Sequence, residues 1–468
     1  MTPPPESEPR TIVAWLTGTR PEEGRLVLLS ALYFFFILSA YYVIRPIREE
    51  MAVAGGVENI PWLFTGTLTA MLLVHPIFAA VVSRWTRRRF VTLTYRFFML
   101  NLLVYFVLLS VVTDGEASVW VGRTFFVWIS VFNLFVVSVF WSFMTDIFRE
   151  RQSRRLFGLI GVGGTVGGIV GSSITAFLVG FLSPATLLLF SVLLLEGAVI
   201  CLRALDSRCA TLPAAGGGPG AEADGASGGG RDGSRTEASE AVIGGSALEG
   251  IRRVLASPYL LGIGAFMLLF TIGSTFLYNI QADIVARTFA TSAERTSIFA
   301  RIDLSVNVLT LFTQLFLTGR ILKWLGLRLA LGILPVLSIL GFLALGAAPV
   351  FAVFVVFQVL RRAGNFALAV PTREVLYTVL PRRDKYKAKN FNDLFVYRAG
   401  DQIGVWSFAG LRALGLGSSA LALTMVPLAG LWLMIALWLG RRQAELAARR
   451  RTAPRPRAAS AGGRRSAE

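Results

Sequence analysis

Charged side chains interrupt the apolar stretches of this chain at a few crowded places, and any chemistry must reside there. SAYYVIRPIREEM, residues 39–51, ends an apolar run with Arg45, Arg48, Glu49 and Glu50. YKAKNFNDLFVYRAGDQIGVW, residues 386–406, crowds Lys387, Asp393, Tyr397, Arg398 and Asp401 into the start of another. SIFARIDLSVN adds Arg301 and Asp303, and FQVLRRAGNFA adds Arg361 and Arg362. A charge in hydrocarbon costs several kcal/mol, so each of these groups needs a cavity or a partner. Arginine offers a planar fork to phosphate or carboxylate oxygens and lysine a more mobile point charge. The expected chemistry is ionic binding of an anion. Arg45, Arg48, Arg361, Lys387, Tyr397 and Arg398 are candidates for solute binding, and Glu49, Asp303, Asp393 and Asp401 for coupling or gating.

Spacing refines these roles. Asn390, Asp393 and Tyr397 are three and four residues apart and share a helix face. Arg301 and Asp303 are two apart and serve different neighbours. Pro46 is expected to end or kink its helix and turn Arg45 and Arg48 toward a cavity. The competing readings are an interfacial cluster in which these arginines pair with Glu49 and Glu50, and lysine anchors at 387 and 389, one of them paired with Asp393.

Other chemistries find no residues to carry them. One histidine, His75, and two cysteines, Cys201 and Cys209, without a C-x-x-C pair, remove the usual zinc and redox sites. No H-E-x-x-H sequence or nucleophile elbow is present, so no catalytic residue, metal or cofactor is expected. The glycine run at 158–171 lacks the Gly-Lys-Ser/Thr ending of a phosphate loop. Its Gly163, Gly167 and Gly171 recur every four residues, as close helix contact requires.

The elements that must position these groups are membrane helices. Of the 468 residues, 54% are hydrophobic and 16% charged, against roughly 25% charged in a typical soluble domain. Apolar windows near 26–44, 62–82, 91–112, 120–144, 157–181 and 185–203, then 259–279, 298–318, 328–346, 350–370, 391–414 and 419–440, make twelve spans, the eleventh being the least hydrophobic. Arg and Lys crowd alternate connections, at 84–89, 149–155 and 382–389, and the tail from Arg441. Four of the facing turns have none. The two exceptions are the first outer connection, assigned Arg45 and Arg48, and the fourth, assigned Arg287 and Arg295. Both termini are therefore expected in the cytoplasm. A net charge of +18 confined to such spacers points to lipid head groups as partners and away from nucleic acid. The N-terminal residues lack the pattern of a cleaved signal, so the first run is expected to be an anchor.

The expected organisation is a cytoplasmic segment at 1–25, a six-helix bundle at 26–205, a flexible Gly-, Ala- and Ser-rich linker at 206–247, a second bundle at 248–440 and a basic disordered tail at 441–468. An all-α polytopic chain of two six-helix bundles joined on the cytoplasmic side has the layout of the major facilitator fold.

Four segments resemble the ATP:ADP antiporter family, particularly its relatives in free-living bacteria: YYVIRPIREEM at 41–51, VFNLFVVSVFWSFMTDIF at 131–148, RLFGLIGVGGTVGGIVG at 155–171 and PTREVLYTVLPRRDKYKAKNFNDLFVYRAGD at 371–401. The resemblance implies a multi-pass carrier of the bacterial inner membrane that exchanges nucleotides. By segment it adds Glu374 to the coupling residues and supports Arg45, Arg48 and Lys387 as contacts for a phosphate-bearing solute. The leading expectation is a monomeric secondary transporter of a small anionic solute, a nucleotide among the candidates. The alternatives are a major facilitator transporter of another solute, such as a lipid, peptide or drug, and a membrane scaffold or sensor without flux.

Overall fold

The computed structural model describes residues 23–84, 87–148, 150–211, 257–381, 389 and 391–452. Helices dominate because long apolar runs leave the backbone no partner in lipid except itself. The first half comprises α1 Gly24–Ala54, α2 Ile60–Arg84, α3 Arg87–Val111, α4 Gly115–Ile147, α5 Glu150–Leu178 and α6 Pro184–Thr211. The second comprises α7 Pro258–Thr288, α8 Ser292–Phe316, α9 Thr318–Ala347, α10 Phe351–Val379, α11 Tyr397–Ala413 and α12 Ser418–Thr452. Eleven of these helices are long and apolar enough to cross a membrane. The twelfth, α11, carries the polar cluster.

Helix boundaries correct several sequence expectations. Pro46 does not end α1, which continues through it to Ala54, so Arg45, Arg48, Glu49 and Glu50 belong to the helix and not to a connection. Arg287 and Arg295 likewise lie within α7 and α8. The connections at 55–59, 112–114, 179–183, 289–291, 348–350 and 414–417 therefore hold no Arg or Lys, and the two exceptions to the charge pattern disappear. Helix α6 runs to Thr211, into the expected linker, and α12 runs to Thr452, into the expected tail. The remainder of the linker and tail lies outside the described residues. Gly326 breaks α9 into two segments by adopting a φ of 68°, a conformation that glycine tolerates without steric cost.

In the first half α1 is central, packed on α4, α5 and α6. A Cβ at Gly163, Gly167 or Gly171 would collide with the backbone of Ala31, Phe35 or Ser39. Bare glycines thus let α5 lie directly on α1, as small residues do between membrane helices. Hydroxyls tie the same seam: Ser39 donates to the Gly167 carbonyl at 3.1 Å and Thr175 to the Val43 carbonyl at 2.9 Å. One continuous apolar core follows, rich in aromatics such as Tyr33, Phe125, Phe132 and Phe140. Phe34 stacks on Phe140 with centroids 4.3 Å apart.

The second half has two cores. One gathers Phe266, Phe270 and Trp432; the other gathers Phe276, Phe342, Phe354, Phe357 and Phe408. Between them, π-helical turns at Asn365–Ala369 in α10 and Asn392–Val396 ahead of α11 widen the backbone. Such turns cluster at functional sites.

The halves meet where α8 packs on α5 and α1, α11 on α2, and α7 on α1. Among the described residues, a cluster of cross-half hydrogen bonds lies toward the end of the bundle away from the termini. Arg295 donates to Glu50 at 3.0 Å, Thr65 to Gln402 at 3.0 Å, Trp406 to Thr65 at 3.1 Å and Ser297 to the Ala176 carbonyl at 3.5 Å. An apolar plug of Val53, Ile60, Ala282, Val285, Phe299 and Val405 lies there too. The distal end is shut.

Candidate functional site: a central cavity with excess positive charge

Below that closure a cavity of about 330 Å³ opens between the halves, walled by α1, α2, α4, α7, α10 and α11. Its charged lining is Arg45, Arg48, Glu49, Arg361, Arg362, Arg398 and Asp401. Helical spacing puts these groups on inward faces. Tyr41, Arg45, Arg48 and Glu49 recur at intervals of four, three and one on α1, and Phe270, Ser274 and Tyr278 at intervals of four on α7.

Most of the arginines are partnered. Asp303, 2% exposed, accepts a hydrogen bond from Arg45 across the half-to-half boundary and another from Arg362 at 2.7 Å. Glu49 lies 3.7 Å from Arg45 and 3.4 Å from Arg48, whose guanidinium covers the Phe126 ring at 4.0 Å. Arg398 donates to Asp401 at 3.2 Å, and Thr275 donates to the same carboxylate at 3.5 Å.

Arg361 differs. It is 3% exposed and donates to the Ser338 hydroxyl at 3.2 Å, the Ser274 hydroxyl at 2.9 Å and the Phe270 carbonyl at 3.1 Å. Among the described residues it has no ion pair. Five arginines thus face three carboxylates (Glu49, Asp401 and, behind the lining, Asp303), leaving two formal positive charges in excess. An uncompensated buried charge is costly, and an anion in the cavity would offset it.

The structure gathers Arg45, Arg48, Glu49, Arg361, Tyr397, Arg398 and Asp401 on the cavity wall and sets Asp303 just behind it. Glu374 and Asp393 lie elsewhere, toward the end that bears the termini. There Lys389 donates to Glu374 at 2.8 Å and Arg373 lies 3.8 Å from Asp393. Among the described residues Asp393 has its ion pair with an arginine of α10, while Lys389 of its own segment pairs with Glu374. Lys387 lies outside the described residues. Arg362, named from sequence with Arg361 as a source of positive charge, also lines the cavity, as do Ser274, Tyr278 and Gln402, which the candidate site drawn from sequence omits. The signal for Ser274 and Tyr278 was the four-residue spacing of polar groups along α7.

No protein-family model matches the chain, and no curated protein matches it. Solved structures do. A bacterial homolog of the human lysosomal transporter Spinster, in an inward-facing and unoccupied conformation, aligns at 15% identity with a TM-score of 0.56, covering 94% of this chain and 100% of that one. The POT family transporter PepTSo aligns at 13% identity and a TM-score of 0.58, covering 92% and 99%. The nucleoside transporter NupG aligns at 14% identity and a TM-score of 0.54, covering 91% and 100%. The chain is a multi-pass membrane protein that shares the two-bundle fold of these transporters. The resemblance to the ATP:ADP antiporters gains no support from these matches.

Proposed function

We propose that the chain is a secondary transporter that carries a small organic anion by alternating access, with the central cavity as its solute site. The observation that carries this reading is Arg361, a buried cation held by hydroxyls and a carbonyl in a cavity that already has positive charge in excess. Its hydrogen bonds fix the fork without neutralising it, so a phosphate or carboxylate group would supply the missing charge. Arg45 and Arg48 would add field from the wall formed by α1, and Arg362 from α10 itself. The volume, near the lower end of the roughly 300–1,000 Å³ of small-molecule pockets, favours a metabolite-sized solute over a nucleotide. With the Arg- and Lys-free connections outside, the closed distal end faces away from the cytoplasm and the cavity is offered inward.

A thermal-shift screen of purified protein against phosphorylated metabolites, carboxylates and nucleotides tests this, because a ligand of the native state raises apparent stability. Anions should stabilise the protein. Arg361→Gln should weaken that effect by about tenfold or more while leaving the unliganded melting curve within a few degrees, since no carboxylate is stranded. Stabilisation by neutral or cationic solutes only would sink the reading. A zwitterionic, peptide-like solute is a second reading, favoured by the Asp401 and Glu49 carboxylates in the same cavity and by the likeness to the POT family fold. Dipeptides in the same screen separate the two.

A further inference from the structure

A second, larger hollow lies on the outer face of the first half. Helices α2 and α4 form its floor and α3 its far wall, enclosing a groove of about 1190 Å³. The trough is deepened because Gly66 and Ala70 on α2 present little or no side chain, opposite Val127 and Val131 of α4. The lining is almost wholly apolar. Two arginines touch it, and they differ.

Arg96 is occupied: Glu196 accepts two hydrogen bonds from its fork, the longer at 2.8 Å. Arg123 has no carboxylate partner among the described residues. Its guanidinium lies over the Trp120 ring at 4.9 Å, one nitrogen approaches the Gly55 carbonyl at 3.5 Å, and its buried Nε has no acceptor. The position of Arg123 along α4 defines its depth. The helix has 33 residues, about 50 Å at 1.5 Å per residue, against roughly 30 Å of hydrocarbon, so about 10 Å overhangs at each end of a centred helix. Arg123 sits about 12 Å from the distal start of α4, at the level where phosphate head groups meet acyl chains. The exposed Trp62 and Trp120 beside it mark the same level.

We infer that this groove is a binding site for one anionic glycerophospholipid of the distal leaflet, its phosphate on Arg123 and an acyl chain laid along α2 and α4 past Gly66. An apolar trough that ends in a single unpaired arginine at head-group depth matches that molecule and no free anion, which would leave the trough empty. Trp62 also packs edge-on against Trp406 of the other half, with centroids 5.1 Å apart. A lipid seated here therefore touches the seam that closes the distal end.

Native mass spectrometry of the detergent-solubilised full chain with phosphatidylglycerol, phosphatidylcholine or inorganic phosphate tests the site. The expected result is one phosphatidylglycerol retained after other lipids are stripped, with affinity reduced about tenfold or more by Arg123→Gln and retention lost in Gly66→Phe, which fills the trough. Equal retention of phosphatidylcholine by the unaltered protein would overturn the proposal without recourse to a variant. So would competition by inorganic phosphate, or phosphatidylglycerol binding unaffected by both substitutions. None of these outcomes depends on the transported solute.

Discussion

The two halves share six helices and one topology, yet they bury different things. Apart from Glu23, Glu49 and Glu50, the buried polar groups of the first half are hydroxyls, of which Ser39, Thr175 and Ser191 bond to the backbone of α5 or α1. The second half buries Asn279, Gln281, Asp283, Asp303, Asn307, Gln358, Arg361, Asn392 and Asp401. It also holds both π-turns and divides its apolar core in two. Hydroxyls returned to the backbone reinforce a helix seam, whereas amides and charges must find distant partners and are costly when they lose them. The difference teaches a division of labour: the first half is a tightly seated frame that lends α1's charges to the cavity, and the second holds the larger share of the charge and the irregular backbone around it.

Substitutions test that contrast, beginning with the most damaging. Asp303→Ala strands Arg45 and Arg362 together and should cost about 3–5 kcal/mol, read as a lowered unfolding midpoint in detergent. A loss below 1 kcal/mol would mean that the buried charges are solvated from the cavity and that the second half is no more fragile than the first. Gly167→Leu drives a side chain into the backbone of Phe35 and should cost about 1–3 kcal/mol in the same measurement. Gly158→Leu, where nothing lies within 4 Å, should be tolerated; similar losses at both positions would contradict the seam. The smallest effect is expected at Arg287, 68% exposed, which shares Asp283 with Arg412 and Ser418. Arg287→Ala should cost about 0–1 kcal/mol, leaving Asp283 with its other partners.

Much of this architecture was legible in the sequence, and the misses have a common cause. Eleven of the twelve expected spans match helices of bilayer length. The helix ends do not, because Arg45, Arg48, Arg287 and Arg295 lower local hydropathy and make a helix read as a connection. Inside the protein Arg45, Arg48 and Arg295 face Asp303, Glu49 and Glu50 rather than lipid, a compensation that hydropathy does not register, and the exposed Arg287 pairs with Asp283 at the end of its helix. Local sequence was likewise silent on Asp303 receiving arginines from α1 and α10, since its partners lie 258 and 59 residues away. Glycine spacing succeeded where charge spacing failed, because the seam of α5 on α1 depends only on which residues lack a side chain.

The excess of positive charge around Arg361 also has an electrical meaning. When one end of a cavity is closed, the membrane potential falls mainly across the closed end, so a change of access carries the cavity's charges through that field. Each unit charge then contributes about 2.3 kcal/mol per 100 mV. Two net positive charges would make the reorientation of an empty carrier sensitive to voltage, while a divalent anion aboard would cancel the effect. Under the proposed function, the membrane potential therefore acts chiefly on the unloaded half of the cycle.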